Sequence, residues 1–136
     1  MILFINTCIE KKIILAIKEN GKILKKEYEI KNRQAENMVA SLDNFFVSFK
    51  KKIDNLKGVI AVNGNGNFTS LRVGISTANA ISYALNIPII DVRFDEFKDL
   101  EEVFLIYEKN KDKKLEYGYI NPFYNKEPNI TCSKKQ

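Results

Sequence analysis

Gly58-Val59-Ile60-Ala61-Val62-Asn63-Gly64-Asn65-Gly66-Asn67-Phe68-Thr69-Ser70-Leu71-Arg72-Val73-Gly74 is a short apolar run, a Gly/Asn turn and a helix start in immediate succession. The run at 58–62 is continuous and apolar, the pattern of a parallel strand buried on both faces. A helix is expected from about Thr69 to Leu85, because Leu71, Ile75, Ala78, Ser82 and Leu85 recur at helical spacing. Asn86 suits the left-handed position just past the last turn, and Pro88 cannot continue the helix. Ile89-Ile90-Asp91-Val92 then reads as the next strand, and the crossover rule places the intervening helix beside parallel strands.

Upstream, Ile2 to Asn6, Lys12 to Ile17 and Ile23 to Ile30 read as strands. Asn20-Gly21 between the second and third is a strong hairpin signal, since both central positions of a type I′ turn need positive φ. Asn32 is placed to cap a helix from about Arg33 to Ile53, with Met38, Val39, Leu42, Phe45, Phe46, Phe49 and Ile53 forming a wide apolar stripe. Downstream, Asp95 is placed to cap a short helix ahead of the apolar run Val103–Tyr107, and Lys114 to Ile120 reads as a last strand. The order βββαβαβ implies an α/β fold: a single ribonuclease H-like or actin-like lobe with a mixed sheet and helices packed beside it. Residues 1–120 are expected to form the lobe and 121–136 an irregular tail.

A chain of 136 residues bounds this to one domain, and its 45% hydrophobic and 29% charged composition is that of an ordinary globular protein. No apolar run approaches the ~20 residues that span a bilayer, and Ile2-Leu3-Phe4-Ile5 lacks the flanks of a signal peptide, so a soluble, cytoplasmic protein is expected. Cys8 and Cys132 are too few for a disulfide framework and are expected as thiols. The chain has no histidine, which excludes Ser-His-Asp and Cys-His nucleophile systems and zinc sites needing imidazole. The net charge of +5 comes from 19 Lys and 3 Arg against 17 acids and is spread in pairs such as Lys11-Lys12 and Lys25-Lys26. Arg and aromatics gathered on one face would be the more convincing footprint of a nucleic-acid binder, so the spread lysines favour the plain reading of a solvated surface.

The strand-end positions, where such lobes place their chemistry, carry Asn6, Asn63 and Asp91. Two-metal hydrolysis needs several carboxylates, and one carboxylate beside two neutral amides does not make that site. Asn6 and Asn63 are instead expected as turn or cap residues bonded to backbone. Gly64-x-Gly66 ahead of a helix either exposes N–H groups to an anion or simply permits a tight strand-to-helix turn; it lacks the Lys of a P-loop. Arg72 is expected either on a phosphate or in an ion pair with Asp91 or Glu96.

The same stretch resembles the signature of the bacterial TsaB (YeaZ) family, Gly-Pro-Gly-Ser-Phe-Thr-Gly-Leu-Arg-Ile/Val-Gly, at Gly64, Gly66, Phe68, Thr69, Leu71, Arg72 and Gly74. Asn6-Thr7-Cys8 stands where that family has Asp-Thr-Ser, and Ala84-Leu85-Asn86-Ile87-Pro88-Ile89-Ile90 is similar to its Ala-Leu-Gly-Ile-Pro-Leu-Val. The resemblance covers roughly Met1 to Tyr107, one lobe where family members carry two. It implies a non-catalytic subunit, without cofactor or metal, in tRNA threonylcarbamoyladenosine synthesis. Its two helices would bundle with those of a TsaD-type partner that holds the catalytic site, with a TsaE-type ATPase as a further partner and tRNA met only indirectly. The residues expected at that contact are Phe45, Phe49, Val73, Ser76, Thr77, Ala80 and Ala84, the phenylalanines because burying so many aromatics in one small lobe is difficult. Three other arrangements stay open: the second helix's stripe of small or β-branched residues, Val73, Thr77, Ala80 and Ala84, lies under the first helix of the same chain, the helical surface forms a homodimer, or the Gly64–Thr69 loop binds nucleotide phosphate.

Overall fold

A computed structural model describes residues 1–31, 34–64, 68–113 and 118–123 of the chain. In chain order the elements are β1 (Ile2–Asn6), β2 (Lys12–Glu19), β3 (Lys22–Glu29), α1 (Gln34–Ser48), β4 (Gly58–Val62), α2 (Phe68–Leu85), β5 (Ile89–Val92) and α3 (Leu100–Asn110). The strands form one sheet in the order β3-β2-β1-β4-β5. β1 and β2, and β2 and β3, pair antiparallel, whereas β1 with β4 and β4 with β5 run parallel. This is the mixed sheet of a ribonuclease H-like lobe, as the element order implies. The hairpin turns where expected, with Asn20 and Gly21 at φ 52° and 78° and Glu19 opposite Lys22.

Alternation along the strands divides the core between the two faces of the sheet. Leu3, Ile5, Leu15, Val59 and Ala61 pack with Met38, Phe45 and Phe46 of α1 and Leu71, Ile75 and Ala78 of α2. Phe4, Ile60, Val62 and Val92 face the other way, onto Val103, Phe104 and Tyr107 of α3. Each Val, Leu, Ile, Phe or Met side chain among them contributes about 1.5–3 kcal/mol when fully buried. Two glycines mark where helices come closest: a Cβ on Gly58 would strike the Tyr107 ring, and one on Gly74 would strike the Thr7 side chain.

Two expectations are corrected. The first helix ends at Ser48, not Ile53, because Lys50 takes a left-handed conformation (φ 57°) and the Lys51 N–H closes onto the Phe46 carbonyl at 2.9 Å. Ile53 belongs to a separate 3-10 turn, Ile53–Asn55, and is half-buried against the same core, which is why it continued the apolar stripe. Asp95 is not the cap of the last helix. Asp99 is: its side chain accepts the Glu102 N–H at 2.9 Å, and Glu102 reaches back past the cap to accept the Lys98 N–H, a start that draws Val103–Tyr107 into α3. Of the strand expected over 114–120, residues 114–117 lie outside the described residues, and Gly118 to Ile120 form none.

The crowding argument for the phenylalanines also fails. Phe45 is wholly buried and Phe46 nearly so, in edge-to-face contact at 5.5 Å, and Phe49 sets its ring edge-to-face on Phe45 at 5.1 Å while staying half-exposed. The lobe accommodates them because edge-to-face stacking fills one pocket beneath a single helix.

Candidate functional site

The strand carboxyl ends bring Asn6, Thr7, Cys8, Asn63, Gly64, Asp91 and Arg93 to one rim of the sheet, and nearly every polar side chain there is bonded to the chain itself. Asn6 Oδ1 accepts the Cys8 N–H at 2.9 Å, an Asx turn that ends β1. The Thr7 hydroxyl donates to the Ser70 carbonyl at 2.7 Å and ties that turn to the first turn of α2. The clearance this needs is supplied by Gly74, the last residue of the signature.

Asn63, 1% exposed, uses its whole carboxamide. One Nδ2 proton goes to Asp91 Oδ2 and the other to the Asn121 carbonyl, each at 2.8 Å, and Oδ1 accepts the Phe123 N–H at 2.7 Å. The expectation that Asn63 bonds backbone is thus met, with a carboxylate added. Asn121 to Phe123, the described part of the expected irregular tail, have no regular secondary structure and run as a strap across the rim; residues 124–136 lie outside the described residues. Asn79 of α2 fixes its upstream end, donating to the Ile120 carbonyl at 2.8 Å and accepting the Ile120 N–H at 2.9 Å. Arg93 donates to the Asn63 carbonyl at 3.3 Å and stacks its guanidinium 3.6 Å from the centre of the Phe123 ring. Gly64, at φ +111°, meets that ring so closely that an added Cβ would lie 3.0 Å from it. A recess of about 300 Å³ remains beside Asn63, Arg93, Phe94, Asp95 and Phe123.

Burial pushes the Cys8 thiol up to about 11, outweighing the opposing pull of a Gly64 backbone hydrogen bond, so at neutral pH it is a protonated donor, placed 3.5 Å from the Val62 carbonyl. Asp91 Oδ2 accepts a proton of the Asn63 amide. Among the described residues no group of three or more His, Cys, Asp or Glu gathers as a metal site would require. Arg72 is exposed on α2; Asp91 accepts from Asn63, and Glu96 accepts the Arg93 N–H at 2.6 Å.

The other candidate surface is the outer side of the two helices that share one face of the sheet. Ser76, Ala80 and Ala84 are exposed there beside Tyr83, which is 91% exposed, and Val39 and Val47 of α1 are 71% and 67% exposed. Val73 and Thr77 are half-buried: Val73 packs against the core and the Thr77 hydroxyl bonds back to the Val73 carbonyl at 2.7 Å. The small-residue stripe is therefore split, its first part turned toward the body of the lobe and its second toward solvent. Phe45 presents nothing to a partner and Phe49 only part of its ring. Of the signature residues, Gly64, Thr69, Arg72 and Gly74 are placed as above, Thr69 being exposed at the start of α2. Gly66 and the Phe68 side chain lie outside the described residues. Sequence reasoning missed Tyr83, Val47, Asn79 and Phe123; for Tyr83 and Val47 the signal was present as apolar residues off the core stripe of each helix.

A family model described as TsaD: tRNA N6-adenosine threonylcarbamoyltransferase matches residues 28–94. The chain is 27% identical over 106 residues to the tRNA threonylcarbamoyladenosine biosynthesis protein TsaB of Buchnera aphidicola subsp. Acyrthosiphon pisum (strain APS), covering 71% of this chain and 48% of that one. It thus spans about half the length of the curated relative it matches. YeaZ from Pseudomonas aeruginosa superposes with a TM-score of 0.62 at 18% identity, over 68% of this chain and 43% of that one. A second structure from the same organism, titled an uncharacterized protein with similarity to peptidase YEAZ, gives 0.63 at 18% identity over 68% and 42%. At that identity the two structures speak for the fold.

Proposed function

We propose, from its similarity to a TsaB protein over about half of that protein's length, that the chain is a one-lobe member of the TsaB/YeaZ family and a non-catalytic subunit of tRNA threonylcarbamoyladenosine synthesis. In this reading it binds and activates a TsaD-type threonylcarbamoyltransferase. The observation that carries the proposal is the contrast between the closed rim and the open helical surface. Ser76, Ala80 and Ala84 let a second helix approach α2 closely, since interaxial distance follows the side chains at the contact. Tyr83 on the same helix and Val39 and Val47 on α1 supply exposed apolar area.

Binding acts on the partner as any ligand does, by stabilising whichever conformation it prefers, so activation scales with the difference in affinity between the partner's states. No group of this chain needs to touch the threonylcarbamoyl donor. A TsaE-type ATPase would join such a complex through the partner or through surface elsewhere on this chain. The described part of the Gly64–Thr69 loop gives the nucleotide alternative little support, because Gly64 is covered by the Phe123 ring.

The test is association with the TsaD-type protein of the same genome. Ala80→Glu places a charge on the exposed stripe without touching the core, so it should weaken association at least tenfold, about 1.4 kcal/mol, with unfolding unchanged. Retained binding by this variant would sink the assignment of the surface. A thermal shift with ATP and magnesium separates the nucleotide reading, since a ligand at about 100 times its Kd adds about 2.7 kcal/mol of stability.

A further inference from the structure

The strap is held as a bound peptide is held. Asn79 offers one carboxamide to both backbone groups of Ile120, at 2.8 and 2.9 Å, as a neighbouring strand would. Asn63 repeats the device one step on, taking the Asn121 carbonyl and the Phe123 N–H. Ile120 is 6% exposed and inserts into the core cluster on the α1/α2 face, and Phe123 lies under Arg93. Pro122 falls between the two N–H groups that are used, at a position where no donor is demanded. Main-chain bonds flanked by side-chain pockets are the terms on which extended peptides are recognised.

We propose that Asn79, Asn63 and Arg93 form a peptide-reading groove at the strand carboxyl ends, occupied in cis by Ile120–Phe123 and selective for an aliphatic-x-Pro-aromatic segment. The aliphatic side chain fills the Ile120 pocket, the two asparagines read backbone, and the guanidinium of Arg93 takes the aromatic ring. The tether keeps the groove filled, because a linked ligand acts at an effective concentration on the order of millimolar. A free peptide of the same pattern therefore enters only when the strap is released.

The experiment uses the full chain and a labelled, end-capped peptide of the sequence Gly-Tyr-Ile-Asn-Pro-Phe, followed by fluorescence anisotropy. Ile120→Asp releases the strap by making its anchor charged, and this variant should bind the peptide at least tenfold more tightly than the unmodified chain. Adding Asn79→Ala to it should lose roughly that gain. A folded Ile120→Asp chain that ignores the peptide, or one indifferent to Asn79→Ala, would overturn the proposal. Should Ile120→Asp not fold, amide hydrogen exchange of the unmodified chain decides: the Ile120 and Phe123 amides are expected to exchange by local opening, well ahead of those in β1 and β4. Exchange of these amides only together with the sheet would equally overturn it.

Discussion

The strand-end rim and the outer side of α1 and α2 differ in what they leave for anything outside the chain. At the rim, Asn6, Thr7, Asn63 and Asp91 are bonded to one another or to backbone, and the strap covers Gly64. On the helices, Tyr83, Ser76, Ala80 and Ala84 of α2 and Val39 and Val47 of α1 stand in solvent. Polar groups satisfied internally have no free-energy reason to seek another partner, whereas apolar area facing water does. A lobe of an enzyme-like fold can thus have its customary site closed by amides while its helices remain available for association.

The contrast breaks most severely if Asn63 becomes acidic. Asn63→Asp sets a second carboxylate against Asp91 in a buried place and removes the donor to Asn121, so a loss on the order of 3–5 kcal/mol is expected in urea unfolding at pH 7. The like-charge pair raises a carboxylate pKa in the folded state, so the folded chain binds the extra proton and part of the loss should be recovered as pH falls. An undiminished midpoint would mean that the rim is not closed as described. Gly74→Ala tests the tie between rim and helix: the Cβ that strikes Thr7 should cost about 1–3 kcal/mol, partly offset by the ~1 kcal/mol that alanine gains in a helix. Adding Thr7→Ala should relieve the clash, a coupling that a double-mutant cycle reads directly.

On the open side, Ala80→Glu should shift stability by no more than about 0.5 kcal/mol, which sharpens the comparison by showing that this surface supports nothing within the chain. Smaller still is the effect of the Lys51–Glu19 pair, 2.6 Å apart at the surface. The Lys51 hydrogen bond and charge hold the Glu19 carboxyl below its usual range. Its contribution is therefore present at neutral pH and fades as pH falls through the range where Glu19 takes up its proton, and Lys51→Met should flatten that part of the acid titration of stability.

How much of this was legible in the sequence differs between the two regions for physical reasons. Strand alternation, Asn20-Gly21, the Asn86 stop and the apolar run at 58–62 are local signals, and the sheet with its helices follows from them. The stop of α1 carried no signal because a lysine, Lys50, occupies a left-handed position usually given to Gly or Asn. The neutral character of Asn6 and Asn63 was readable as chemistry, but their partners were not. Asn63 meets Phe123 across 60 residues and Asn79 meets Ile120 across 41, and no periodicity encodes such pairings. The phenylalanines misled because their number was weighed without the geometry in which Phe45, Phe46 and Phe49 stack. Gly74 stood out by resemblance alone, and its physical reason, the Thr7 side chain above it, needed the fold.

The central claim is that the outer helical surface binds a TsaD-type subunit, and light scattering behind size exclusion tests it most directly, first with the chain alone and then with the TsaD-type protein of the same genome. A stable one-to-one complex that Ala80→Glu abolishes is the predicted result. A chain that elutes unchanged in the presence of that protein, as a monomer or as its own dimer, would contradict the account.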